Sequence, residues 1–497
     1  MGVRRAAFVI LVTFLFAPAA AMGRQSDTGP DLRVARVVTA LLGDTPLLED
    51  LRFLSDDIGG RATGSPANLR AVEWALERFR DAGVTAQREA FTMPALWLEN
   101  ASSGTVRGAG VEFEVRLAAM PFSTGTPPEG ITAPLVDAGT GADEDFTRLG
   151  PAARGAFLLV ETTSLTDIDG LFREYGEAYA TERRARAAGA LGVVYMGSRA
   201  EGVLYRHNSS LLGPDARPML IMERRAARRA RDLLRAGTSL TLTARIDLQT
   251  GGPYESYNVI GEIRGASRAE EIVLIGAHLD SWDLGGGALD NGANVALVLD
   301  VARQMARYGI RPDRTIRFAL WNGEEEGLVG SQRYTEDHAD ELDRHVMAMA
   351  FDIGCGLING FYTGGRPEIL PAVDAALEPV RGLGPFIQID APIVGTDNFD
   401  FMMQGVANLV GNQEPASYGP NYHAETDQFD KCDGRTLRLN AAIVAALTLG
   451  IADGDVTWGR QSREAIEDLV ATTDLEEQMR MFSVWDGWAN GTRGRRR

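Results

Sequence analysis

At 497 residues the chain is too long for one ordinary domain, and a hydrophobic content of 45% excludes a largely disordered protein. A formal net charge of -18 excludes the basic footprint that nucleic-acid binding requires, so no nucleic-acid partner is expected. The cations are almost all arginine, with Lys431 the sole lysine, which reflects coding bias and not chemistry.

Residues 1–22 read as a secretory leader. Arg4-Arg5 precede an apolar core over residues 7–17, too short to span a bilayer, and small residues follow up to Ala21. No later run reads as a membrane span, so the mature chain is expected to be exported, either secreted or periplasmic. Residues 30–119 read as the first part of a catalytic domain. Within them a helix starts near Pro66 and runs to Asp81, stopped by Gly83, and Val84–Phe91 alternates as a strand does. Residues 120–252 change character. Short apolar strands such as 133–136 and 156–160 alternate with turns, and 182–195 reads as helix, glycine turn and strand. The Arg-rich helix from Arg224 to Arg235 is expected to be a solvated face. From 253 to 455 strands and helices alternate, which predicts a mostly parallel mixed sheet with helices on both faces. The tail, 456–497, is amphipathic, and its basic end at Arg493–Arg497 is expected to be disordered. Cys355 and Cys432 are open between a disulfide and two free thiols. Asn100, Asn208 and Asn490 match the glycosylation pattern.

Three apolar strands run into chemistry-bearing residues. Residues 272–277 lead into His278-Leu279-Asp280, 315–321 into Glu324-Glu325-Glu326, and 346–351 into Asp352. Ligands of open α/β sheets bind at such strand ends. Carboxylates gathered there repel one another unless a cation neutralises them, and mixed imidazole and carboxylate donors suit zinc. His278 is a metal donor, with Asp280 placed to hold its second ring nitrogen. Asp290, after the glycines Gly285–Gly287, is a candidate bridging ligand whose alternative role is a helix cap. Of the adjacent acids, one would bind metal and the other act as general base. His423 lies in the polar stretch 421–427, one of only five histidines in the chain.

In order, the chain shows His-x-Asp, Asp-Asn-Gly, Glu-Glu-x-Gly-Leu-x-Gly-Ser, a strand-terminal Asp, and Tyr-His with an Asp four residues later. It thereby resembles the co-catalytic di-zinc exopeptidases that include the bacterial leucyl aminopeptidases and glutamate carboxypeptidase. The stretch Trp321–Ser331 is the most specific part of the likeness, and residues 125–132 and 413–430 are closest to the carboxypeptidase Q branch. The resemblance implies a phosphorylase/hydrolase-like α/β fold, with 120–252 as an inserted α+β, β-rich protease-associated domain. It implies two Zn2+ ions, one on His278, Asp290 and Asp352, the other on Asp290, Glu325 and His423. Glu324 would be the general base toward a metal-bridged water, Asp280 would orient His278, and Asp427 would support His423. Tyr418 or Tyr422 would offer a hydrogen bond to the developing oxyanion. The substrate would be a short peptide or dipeptide, and a homodimer is compatible with the chain. Two departures bear on specificity. The branch carries a second histidine and Thr-Pro where this chain has Tyr422 and Ala424-Glu425, and the family's Ser-Asp-His stands as Thr396-Asp397-Asn398. A glutaminyl cyclase-like zinc acyltransferase and a non-catalytic binding protein are the alternatives on this fold.

Overall fold

The computed structural model describes residues 30–496, so the leader expected at 1–22 lies outside the described residues. Two sheets organise them. The first has seven strands in the order Thr85–Met93, Tyr254–Ile263, Arg314–Trp321, Arg268–His278, His345–Ala350, Asn408–Gln413, Ile358–Tyr362. Its four central strands are mutually parallel and its edges antiparallel, which is the mixed sheet the alternation predicts. Alternate residues serve opposite faces. Val273 and Ile275 pack into a core with the helices Ala293–Arg307 and Gly434–Asp453. Ile272 and Leu274 pack with Trp321, Tyr334 and Phe401 on the other side. Burial of one such aliphatic side chain contributes about 2 kcal/mol, so both faces hold the strand ends on a rigid platform. Gly434–Asp453 is apolar and long enough to cross a membrane, but 72% of its apolar stretch is buried in this core.

The helix Pro66–Asp81 has the bounds its sequence predicts. Ser65 caps it by accepting the Asn68 N–H, Pro66 occupies the first turn, where no N–H is missed, and Gly83 takes φ +77° beyond its end.

The second sheet has eight strands in the order Val111–Val115, Leu96–Gly108, Leu240–Gly251, Ile131–Asp137, Phe157–Val160, Gly192–Met196, Met219–Met222, Leu117–Ala119. It begins at Leu96, so the boundary expected at 119/120 falls inside it. The long Leu96–Gly108 strand pairs with Leu240–Gly251 far along the chain, a partnership no local pattern discloses. Its centre is parallel, from 131–137 through 219–222. The Arg-rich helix Arg224–Arg235 is neutralised locally: Arg225 and Arg228 pair with Glu201, Arg231 with Glu161, and Arg235 with Asp137 and Glu161.

The tail corrects an expectation. It forms the helices Arg463–Thr472, Leu475–Met481 and Trp485–Ala489, and the buried Arg493 forms a bidentate pair with Asp400 at 2.6 and 2.7 Å. Arg493 thus finds a buried carboxylate, which composition alone does not reveal, while Arg497 lies outside the described residues.

Candidate metal centre

The site sits at the carboxyl ends of the central parallel strands. His278 closes the 268–278 strand; its Nδ1 lies 3.0 Å from the Asp280 backbone oxygen and 3.7 Å from the Asp280 carboxylate. The other Asp280 oxygen accepts from the Thr63 hydroxyl at 2.9 Å and the Gly323 N–H at 3.0 Å. Asp280 therefore holds the ring chiefly through its backbone, while its carboxylate locks the loop that carries the acidic run.

Asp290 occupies the centre. It is buried, and the helix that begins at Ala293 has Gly292 at its N-cap with no side-chain cap bond, so Asp290 does not cap it. Its Oδ1 lies 3.0 Å from His278 Nε2, and its Oδ2 lies 3.4 Å from His423 Nε2. Each imidazole also faces a second carboxylate: Asp352 at 2.9 Å from His278 Nε2, and Glu325 at 2.9 Å from His423 Nε2. One ring nitrogen cannot satisfy two carboxylates with a single proton, whereas a cation among such donors satisfies all of them. Donor atoms of His278, Asp290 and Glu325 lie within 4.8 Å of one another, as do those of His278, Glu324 and Asp352. The donor set thus fits zinc, and Asp290 offers one oxygen to each half.

The electrostatics have the same cause. Burial disfavours the charged His423 ring, but Glu325 and Asp290 together lift it to about 9. Burial would also raise Asp290, yet hydrogen bonds from the two histidines hold it below the ordinary carboxylate range. Burial beside Asp352, Asp397 and Glu325 pushes Glu324 well above that range.

One supporting group was not evident from sequence. Arg61 sits in what reads as a mere break between helices. It is fully buried and donates to the carbonyls of Leu279 at 2.5 Å and of Gly286 and Gly287 at 2.9 Å each. Burial lowers its pKa to about 10, and the surrounding acids, Asp427 foremost, keep it charged. The glycine loop it clasps needs its glycines: a Cβ at Gly285 would meet the Ala424 carbonyl at 2.3 Å. Asp427 lies elsewhere than expected. Its carboxylate accepts the N–H groups of Leu289 at 2.7 Å and Asp290 at 3.1 Å, so it shapes the Asp290 turn and not the His423 ring. Tyr418 donates to Asp290, and the Tyr422 hydroxyl pairs with that of Tyr175. Asn208, one of the glycosylation matches, donates its amide to the Glu325 carbonyl at 2.7 Å. Cys355 and Cys432 form a disulfide, which staples the segment after Asp352 to the segment after His423.

A sheet packed on both faces, with imidazoles and carboxylates gathered at its strand ends, presents the donor set of a zinc site. Comparison with known proteins points the same way: residues 258–448 match peptidase family M28. Carboxypeptidase Q from Bos taurus is 25% identical over 420 residues, covering 82% of this chain and 85% of that protein. A probable lipoprotein aminopeptidase, LpqL, from Mycobacterium tuberculosis is 27% identical over 448 residues, covering 82% and 83%. The crystal structure of a peptidase M28 precursor from Shewanella amazonensis superposes with a TM-score of 0.76 at 25% identity, covering 86% of this chain and 98% of that one.

Proposed function

We propose that the protein is an exported exopeptidase of short peptides, working with two zinc ions. His278, Asp352 and one oxygen of Asp290 would hold one; Glu325, His423 and the other oxygen of Asp290 would hold its neighbour. The division of Asp290 between the two imidazoles is the observation that carries this reading. When bound, zinc makes water a nucleophile at neutral pH and polarises the scissile carbonyl.

The chain's own groups do the rest. Glu324 stands beside His278 and Asp352 without belonging to the His423 half, and serves as general base. It takes the proton of the attacking water and returns it to the leaving amine. Glu324 also lines a cavity of about 210 Å³, with Tyr422 and His423 beside it. Walls drawn from loops and helices of both units and from the tail suit a substrate of a few residues. The disulfide supports export, since such bonds persist in oxidising compartments. Strand pairing supports an inserted unit spanning 96–251.

The two relatives named above carry names for opposite chain ends, so the end preference is decided by assay. The zinc-loaded protein is incubated with an unblocked dipeptide, an aminoacyl-nitroanilide and an amino-blocked peptide, and its zinc is counted. Cleavage of the dipeptide alone marks a dipeptidase. Cleavage of the nitroanilide marks an aminopeptidase, and of the blocked peptide a carboxypeptidase. Two bound zinc ions with no cleavage of any substrate would overturn the reading and favour a binding protein.

A further inference from the structure

The two halves of the metal centre are supported from different places. His278 and Asp352 continue strands of the seven-stranded sheet, and Asp290 is fixed by Asp427 and by the helix it precedes. Asn291 ties the Asp290 turn to the Phe351 carbonyl, next to Asp352, at 2.8 Å. All of this lies within the catalytic sheet and its helices.

Glu325 is met from the catalytic unit by the Trp282 N–H at 3.2 Å and the Asp280 carboxylate at 3.4 Å, and the remaining supports of Glu325 and His423 come from the inserted unit. Arg206 donates its backbone N–H to the His423 carbonyl at 3.0 Å. Arg199 donates Nε and Nη2 to the Tyr422 carbonyl at 3.2 and 3.1 Å, and is itself held by Glu174 at 2.9 Å. Asn208 donates to the Glu325 carbonyl at 2.7 Å. Leu204 and Glu425 exchange two hydrogen bonds of 3.0 Å, one of them to the Glu425 carboxylate. The Tyr175 hydroxyl lies 3.1 Å from that of Tyr422, whose ring stacks on the His423 imidazole at 3.7 Å. These contacts are needed. His423 has φ +56°, a conformation that costs a side-chain-bearing residue free energy and persists only where its surroundings impose it. Metal-binding histidines are ordinarily aimed by a partner on the second ring nitrogen. His423 Nδ1 is buried without one among the described residues, so Tyr422 and the loop backbone must aim the ring.

We infer that the inserted unit is a clamp for one metal position, that of Glu325 and His423, and leaves the other position to the catalytic sheet. Arg199, Asn208 and Tyr175 are its positioning residues; they act through the backbone and ring of the ligand loop. The inference rests on the two-zinc reading above.

Zinc binding itself supplies the test. The full mature chain is freed of metal and titrated with zinc against a chromophoric chelator, resolving two binding steps. In Tyr175→Phe/Asn208→Ala one of the two steps should lose about ten-fold or more in affinity, the usual effect of removing such support, and the other should not move. Arg199→Lys keeps the pair with Glu174 and one donor for Tyr422, so it should retain affinity that Arg199→Gln loses. Equal weakening of both steps, weakening of neither, or identical behaviour of the Lys and Gln variants would overturn the clamp. A wild-type chain that takes up a single zinc overturns the two-zinc reading before any variant is compared.

Discussion

Glu324 and Glu325 are neighbours in sequence but face different groups. Glu325 meets His423 at 2.9 Å, whereas Glu324 gathers with His278 and Asp352. A chain leaving a strand turns successive side chains apart, so adjacent acids can be divided between holding metal and moving protons. Glu324→Gln keeps the shape and removes the proton acceptor. It should lower kcat by about 100-fold or more while zinc content stays at the wild-type value; retained turnover would remove Glu324 from the mechanism. A second carboxylate tests burial away from the site. Glu182 is fully buried in the inserted unit and accepts three hydrogen bonds, from the Ser209 hydroxyl and from the hydroxyl and N–H of Ser210. Burial outweighs them and raises its pKa from 4.5 to about 7. A carboxyl whose folded pKa exceeds the unfolded one contributes its full stability below pH 4.5 and loses it as pH rises through 7. Glu182→Gln should therefore raise the melting temperature at pH 8 and leave it nearly unchanged at pH 4.5, with a difference of at most about 3 kcal/mol. An equal effect at both values would show that Glu182 is not the titrating group. Of the residues at the centre, those at strand ends were legible because the acid follows its apolar strand within a few positions. Arg61 was not, because its three carbonyl acceptors lie 218 to 226 residues away.

Among elements, the His423 loop carries a ligand outside any strand or long helix. It joins the short turn Tyr418–Asn421 to the helix Gly434–Asp453, and the Cys355–Cys432 bond anchors its far end. That bond closes a separation of 77 residues, and cross-linking a loop of that size stabilises by about 4 kcal/mol in the chain-entropy view. Cys355→Ser/Cys432→Ser should melt several degrees lower, with the loss reproduced when a reductant is added to the wild type. A reductant effect on the wild type that persists in the double variant would assign it to something other than this bond. The same loop shows why elements were easier to read than their partners. Period-two strands and a capped helix are local facts, and Pro66–Asp81 follows from Ser65, Pro66 and Gly83 alone. The contacts of Arg199 with Tyr422 cross 223 residues, and of Asn208 with Glu325 cross 117, so no spacing rule points to them.

For the molecule as a whole, three parts of the chain meet over one cavity. The catalytic sheet contributes Glu324 to Leu328, the inserted unit contributes Tyr175 and Asn208, and the tail contributes Met481 to Val484. The tail is tied down where this matters: Arg493 binds Asp400 and donates to the carbonyls of Gly327 and Leu328, just beyond the acidic run. Phe482 then lies against the inserted unit, its ring 5.3 Å from Tyr175 and 6.2 Å from Phe172. A half-buried aromatic bridging two walls narrows the space between them, so the tail should limit substrate size without touching the metal groups. Phe482→Ala removes the ring and leaves Arg493 and the surrounding helices in place. The ratio of kcat/KM for a tripeptide over a dipeptide should then rise about ten-fold, the scale of one apolar contact in a specificity pocket. Zinc content should hold, because Tyr175 keeps its hydroxyl contact with Tyr422 when the Phe482 ring is removed. A fall in both rates with the ratio fixed would mean that the tail only braces the fold. A risen ratio would mean that the last forty residues, whose sequence suggests little beyond amphipathic helix, set which peptides the centre accepts.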